Sequence, residues 1–215
     1  MTLEEQVAVT QTHSGRSRAF AAALAVLAWD ALLLQIWLSL GLVQPQGGGI
    51  EDALVICLGY FTILSNLFVA LSASAIALSP GAWLASPIVR GCATTAIVVV
   101  GLGYHLLLRE IWDPQGWQRV ADNILHYAVP ITALAHWVLM PPRAPLSRSA
   151  PLLWCAYPVA YLIYALIRGI WLGTYPYPFV DVSVLGYPRV FANGAGLLVV
   201  FLVVGALVRL SARRR

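Results

Sequence analysis

The chain has 215 residues, 60% hydrophobic and only 10% charged, with a formal net charge of +4 and a mean hydropathy of +0.79. Soluble domains carry about 25% charged residues, so this chain has too little polar surface to cover a water-soluble ball of its size. That excludes a soluble enzyme, a nucleic-acid-binding domain and a disordered protein, and it leaves no room for a separate soluble domain beside about six spans of ~20 residues.

In chain order, residues 1–19 read as a polar cytoplasmic tail containing Glu4, Glu5, His13, Arg16 and Arg18. Six apolar runs follow, at about residues 20–43, 53–78, 87–108, 121–140, 151–172 and 190–210, and residues 211–215 form a basic tail. Each run is long enough for the ~30 Å hydrocarbon core, where a helix satisfies its own backbone. Turn chemistry separates them: QPQGGG at 44–49, Ser79-Pro80-Gly81, DPQG at 113–116, Pro141-Pro142 and the Pro-rich stretch 175–178. No short apolar core leads to a small-residue cleavage site, so the first run reads as an anchor and not a removable signal. The expected fold is all-α: a polytopic membrane protein built as a single bundle of six transmembrane helices with both termini cytoplasmic.

All 13 basic residues are Arg, and their placement gives the orientation. With the N-terminus inside, the cytoplasmic side receives nine: Arg16, Arg18, Arg90, Arg143, Arg148, Arg209, Arg213, Arg214 and Arg215. The outer side receives four, Arg109, Arg119, Arg168 and Arg189. The positive-inside rule selects that arrangement. Cys57, Cys92 and Cys155 lie in apolar runs without metal-ligand spacing, so they read as packing residues. No metal and no cofactor is expected, nucleic acid is not an expected partner, and nothing in the sequence specifies an oligomeric state.

Polar residues inside spans are expensive, and each is a site hypothesis. Asp30 falls near the middle of the first run, where it needs a partner or a proton. Thr62, Ser65 and Asn66 share one face of the second. His105 and Arg109 stand four apart in the third, and Asp122, Asn123 and His126 open the fourth, four residues before Pro130. Tyr161, Tyr164 and Arg168 form one stripe on the fifth, and Arg189 and Asn193 begin the sixth. With the helices alternating in direction, nearly all of these fall in the outer half of the bilayer and would enclose an outward-facing cavity. Bland readings stand beside the sharp one. Thr62 and Ser65 suit local backbone bonds, Asn66 suits interhelical glue, and the three outer Arg suit snorkelling. His136, beside Trp137, reads as interfacial, and Trp112, Trp117, Trp171, Tyr175 and Tyr177 as an aromatic belt.

A Thr hydroxyl needs a nearby base to act as a nucleophile. Thr62 and His126 come from different helices at comparable depth, so the imidazole would take the hydroxyl proton and return it to a leaving alcohol. Asp122, or another outer carboxylate such as Asp181, would orient the ring, and Asn66 or Arg168 would stabilise an oxyanion. The chain has no GxSG-type segment, HExxH, paired intramembrane Asp motif or Gly-rich phosphate loop. Two other classes remain open: a non-catalytic protein binding or transporting a small amphiphile or protons, and a haem protein using His105 and His126 as axial ligands.

The segments FTILSNL (61–67), NILHYAVP (123–130) and YPFVD (177–181) followed by Gly186-Tyr187 resemble those of the bacterial Pr6Pr membrane proteins. These resemble in turn the eukaryotic androgen-induced (FAR-17a/AIG-type) six-pass membrane proteins. The likeness extends over about residues 20–210. It implies a threonine hydrolase of fatty acid esters of hydroxy fatty acids, with Thr62 as nucleophile and His126 as base, a membrane lipid or lipid-like substrate and a place in a bacterial-type inner membrane. Asn66, Ser65, Asp122, Asn123, Arg168, Asp181, Tyr164, Asn193, His105 and Asp30 are the candidates for orienting the substrate or the catalytic pair.

The Arg distribution yields a topology prediction. Reporters inserted after Gly48 or Pro114 should read as external, and reporters inserted after Leu146 or appended to Arg215 as cytoplasmic.

Overall fold

The computed structural model describes residues 14–142 and 144–212. The tail carrying Glu4, Glu5 and His13, together with Arg143 and the terminal triple Arg, lies outside the described residues. Among those described, every regular element is helical. Five stretches are long and apolar enough to cross a membrane: Gly15–Gln46, Phe61–Leu78, Pro87–Leu108, Ala150–Leu172 and Val182–Ser211.

The first rod is α1, Gly15–Val43, started by the Ser14 side chain accepting from the Ser17 N–H. The second apolar run is not one helix. It divides into α2, Ile50–Leu58, and α3, Phe61–Leu78, with Gly59 and Tyr60 between them. The third is α4, Pro87–Gly103, extended by a π turn over Tyr104–Leu108.

The fourth expected span is assembled from α5, Gly116–Asn123, a π turn over Ile124–Ala128, and α6, Val129–Leu139. Residues 116–139 are helical without a break, but Asp122, Asn123, His126 and His136 lower their hydropathy, which is where five apolar rods and six expected spans differ. Pro130 supplies the local reason for the π turn: it has no N–H to return to the His126 carbonyl. The Val129 N–H bonds the Ile124 carbonyl instead, closing the wider turn. The fifth run comprises α7, Ala150–Trp154, and α8, Ala156–Leu172, ended by Gly173 at φ +69°. The last is α9, Val182–Ser211, kinked where Gly186 takes φ +72° and Pro188 follows.

Packing uses small residues at the closest approaches. Leu24, Ala28 and Leu32 of α1 meet Val69 and Ala73 of α3, Ile97 of α4, and Val129 and Ala133 of α6 in one buried cluster. Water exclusion supplies little force between helices in lipid, so close approach over Ala and Gly matters more. A second cluster seats α9 on α4 and α7 through Phe201, Val204, Trp154 and Trp137. The outward faces carry large apolar side chains such as Leu33, Ile131, Ile163, Val199 and Leu207, as a lipid-facing surface requires.

His136 departs from its interfacial reading. It is 2% exposed, its Nε2 lies 3.2 Å from the Ser17 hydroxyl, and Phe20 packs against its ring. Arg90, also buried, donates to the His136 carbonyl at 2.6 Å and lies over the Trp137 ring.

Gly91 sets the α4–α7 distance. A Cβ there would stand 2.4 Å from the Trp154 ring and 3.2 Å from that of Trp137, and neither indole can yield easily. Gly91→Ala should therefore lower stability by about 1–3 kcal/mol. Gly41→Ala, at a helical site with open space around it, should not. Thermal unfolding in detergent checks the contrast.

Candidate active site

The break between α2 and α3 builds the site. Ending a helix leaves its last carbonyls without intrahelical donors. Three side chains of α8 supply the missing donors. Tyr161 donates to the Gly59 carbonyl at 2.9 Å, Tyr164 to Leu58 at 3.1 Å, and Arg168 to Val55 at 2.9 Å. Gly59 leaves room for this: a Cβ there would be 2.8 Å from the guanidinium carbon of Arg168. The positive charge also lies at the negative end of the α2 dipole.

The same break starts α3 at Phe61, so Thr62 sits in the first turn of a helix, near its positive end. Thr62 Oγ1 is 3.2 Å from His126 Nε2. On the other ring edge, His126 Nδ1 is 3.0 Å from the Asp122 carbonyl and 3.2 Å from Asp122 Oδ1. Both neighbours of Nδ1 are acceptors, so the network assigns its proton there and leaves the Nε2 lone pair facing Thr62. Tyr104 stacks on the imidazole at 4.0 Å between centroids, and its hydroxyl interacts with Asp122. Asp122 is 4% exposed. Thr62, His126 and Asp122 thus form a line of hydroxyl, imidazole and carboxyl groups.

The π turn sets the position of His126. Its carbonyl, left without the Pro130 N–H, packs against Gly101, where a Cβ would come within 3.0 Å. Asn66 ties the two halves of the site together. Its side-chain amide donates to the Thr62 carbonyl at 2.8 Å and to the Leu125 carbonyl at 3.2 Å. Both amide hydrogens are committed to backbone, so Asn66 holds the pair in register and offers no donor to an oxyanion in this arrangement.

One residue of the site escaped the sequence reading. Tyr177, grouped with the aromatic belt, is 9% exposed and turned inward from the 173–181 connection. The Thr62 N–H donates to its hydroxyl at 3.3 Å, and that hydroxyl lies 3.4 Å from Thr62 Oγ1. Burial raises the Tyr177 phenol above its usual range, its bonds to Thr62 offsetting this only in part, so it keeps its proton. The clue in the sequence was its place in the YPYPFVD string, whose two Pro residues fix a shaped turn. Asn193 of α9 anchors that turn by donating to the Phe179 carbonyl at 2.9 Å.

The remaining candidates lie apart from this line. Ser65 is within hydrogen-bonding distance of Tyr157, at 3.3 Å. Asp181 caps α9 through the Ser183 N–H and hydroxyl. His105 pairs with Tyr127 at 3.2 Å and Arg109 at 3.1 Å, so the two histidines proposed as axial ligands have separate partners. Asn123 is exposed. Asp30 is exposed on α1 and has no ion-pair partner among the described residues.

Thr62 lies between two cavities. One, of about 330 Å³, is lined by Gln35, Ser39, Gln118, Asp122 and His126 among others. The other, of about 210 Å³, is lined almost wholly by apolar side chains of α4, α8 and α9. Among the described residues, no group of three or more His, Cys, Asp or Glu side chains is arranged to hold a metal ion. The chain matches no protein-family model, no curated protein and no solved structure.

The role of Asn66 is testable by stability. Asn66→Ala would take the side-chain donor from the Leu125 carbonyl and leave the Thr62 carbonyl with its helical bond alone, at about 1–3 kcal/mol for an unsatisfied buried group. A clear fall in the unfolding temperature in detergent is expected, whereas an unchanged one would mean that the amide ties nothing.

Proposed function

We propose that this chain is an integral membrane hydrolase of lipid-like esters, with Thr62 as nucleophile and His126 as acid and base. The observation that carries the reading is the line Thr62 Oγ1, His126 Nε2, His126 Nδ1, Asp122 Oδ1, with 3.2 Å at each contact, while the Asp122 main-chain carbonyl takes the Nδ1 hydrogen bond at 3.0 Å. Its resemblance to the bacterial Pr6Pr proteins and their eukaryotic relatives points the same way. In this reading residues 116–139 form the fourth of six spans. Its 24 residues measure roughly 36 Å at ~1.5 Å per residue, and both termini lie in the cytoplasm of a bacterial-type inner membrane.

The chemistry follows from the proton positions. His126 Nε2 accepts the Thr62 proton as Oγ1 attacks the ester carbonyl, and Asp122 stabilises the imidazolium that forms. The carbonyl oxygen becomes negative beside the positive end of α3 and the Tyr177 hydroxyl, which are fixed before the reaction begins. His126 then protonates the leaving alcohol. Water repeats the sequence on the Thr62 ester, releasing the acid and restoring the hydroxyl.

Ester hydrolysis and fluorophosphonate labelling of the purified protein test this. Thr62→Ala and His126→Ala should each lose turnover by roughly 10³-fold or more. Asp122→Asn should also lose turnover, but less, by removing the negative charge beside the imidazolium while the main-chain carbonyl of residue 122 keeps the Nδ1 proton in place, and Thr62→Ser should stay active. Wild-type turnover that survives in both alanine variants, or no turnover with any ester, overturns the assignment.

A further inference from the structure

The two cavities differ in which catalytic groups they share. Thr62, Tyr104, Leu108 and Tyr177 line both. His126 and Asp122 line only the larger, polar one. The smaller is walled by residues such as Val99, Leu107, Leu162, Leu198 and Phe201, with Val159 and Ala195 exposed on its outer side between α8 and α9. An ester bound at Thr62 extends two arms from the carbonyl. The general acid can protonate only an oxygen on its own side.

We propose that the ester is divided at Thr62: the acyl arm occupies the apolar cavity, and the alcohol arm, bearing an uncharged polar group, occupies the polar one. The assignment rests on the hydrolase reading for its chemistry. Oγ1 bonds to the carbonyl carbon, and its proton passes to His126 Nε2. The bond from that carbon to the alcohol oxygen breaks, and the oxygen takes the proton from Nε2. The acyl group stays on Thr62 with its tail in the apolar cavity. Departure of the alcohol empties the side His126 faces, so the attacking water enters there and loses its proton to the same nitrogen. It bonds the acyl carbon as the Thr62 oxygen leaves and regains a proton.

The lining of the polar cavity selects the alcohol. Gln35 and Gln118 meet there at 2.9 Å, beside Ser39, and together they offer amide and hydroxyl partners. Among the described residues lining it, Asp122 is the one acidic side chain, and no Arg is among them. An alcohol arm carrying a carboxylate would find no Arg to pair with and would lie beside the acidic Asp122 side chain, so a glycerol-like or other neutral polyol headgroup fits better.

Gly103 allows the acyl side to be tested without disturbing the backbone. Its φ of −62° is helical, it lines the apolar cavity, and a Cβ there would meet nothing within 4 Å. For the full chain in detergent, one ester series varies acyl length on glycerol, and another varies the alcohol at fixed acyl length. Gly103→Leu should lower kcat/KM for long acyl chains relative to short ones by roughly 10-fold or more and leave the ranking of alcohols alone. Gln35→Leu with Gln118→Leu should erase the preference for glycerol over a plain alkanol. A shift in alcohol ranking in Gly103→Leu, or a wild-type preference for an anionic hydroxy acid as the alcohol, overturns the division while leaving hydrolysis intact.

A non-hydrolysable ketone analogue with a diazirine at the end of either arm reads position without turnover. Acyl-arm labels are expected within residues 99–107 or 194–201, and alcohol-arm labels within residues 35–42 or at Gln118. Reversed or mixed labels overturn the division even in an active enzyme. Labels as expected in a protein that hydrolyses nothing would support the division and defeat the hydrolase.

Discussion

The site depends on the break between two consecutive helices. Between Leu58 and Phe61 the chain stops one helix and starts another, within an apolar stretch where unsatisfied backbone is costly. The Tyr161, Tyr164 and Arg168 stripe exists to satisfy that end: each side chain donates to a different carbonyl of residues 55–59. Once the end is satisfied, α3 can begin in the interior. Its first turn then presents Thr62 at the positive end of a helix dipole, which the middle of a continuous helix would not provide.

The partner across the bundle is positioned by a second irregularity. Pro130 removes one backbone donor, the chain widens into a π turn, and His126 lies within it. Two contacts then fix the geometry. Gly101 lets α4 approach the His126 carbonyl, and the Asn66 side chain holds the Thr62 and Leu125 carbonyls together. Backbone irregularity thus aims both the Thr62 hydroxyl and the His126 imidazole, and packing around Val129, Ile97 and Ala28 keeps them aimed.

Much of this was legible in the sequence, but unevenly. Scarce charge and long apolar runs give the helical membrane class directly. The i, i+4 spacing of Asp122 and His126 puts carboxylate and imidazole together, and the polar character of residues 62–66 marks the facing helix. The break at Gly59 was not legible, because no Pro marks it and the flanking residues are apolar throughout; only the distant donors on α8 make it tolerable. For the same reason Arg168 and Tyr164 read as site residues when their hydrogen bonds go to a helix end. Tyr177 failed in the opposite direction. Aromatic residues near span ends usually sit at the interface, and turning one inward takes a turn anchored from another helix, here by Asn193.

The distribution of hydrogen bonds separates scaffold from chemistry. Asn66, Arg90, Thr95, Tyr161, Tyr164, Arg168 and Asn193 all bond main-chain carbonyls, and in an apolar solvent that task alone justifies a polar side chain. Thr62, His126 and Asp122 differ. Their side chains meet one another in sequence, across two helical segments, beside a buried phenol from a third part of the chain. Such a line exceeds what joining two helices needs, since one hydroxyl–carbonyl bond would join them. It lies at the junction of two cavities of unlike polarity, and that position is what the proposed hydrolase reading requires of it.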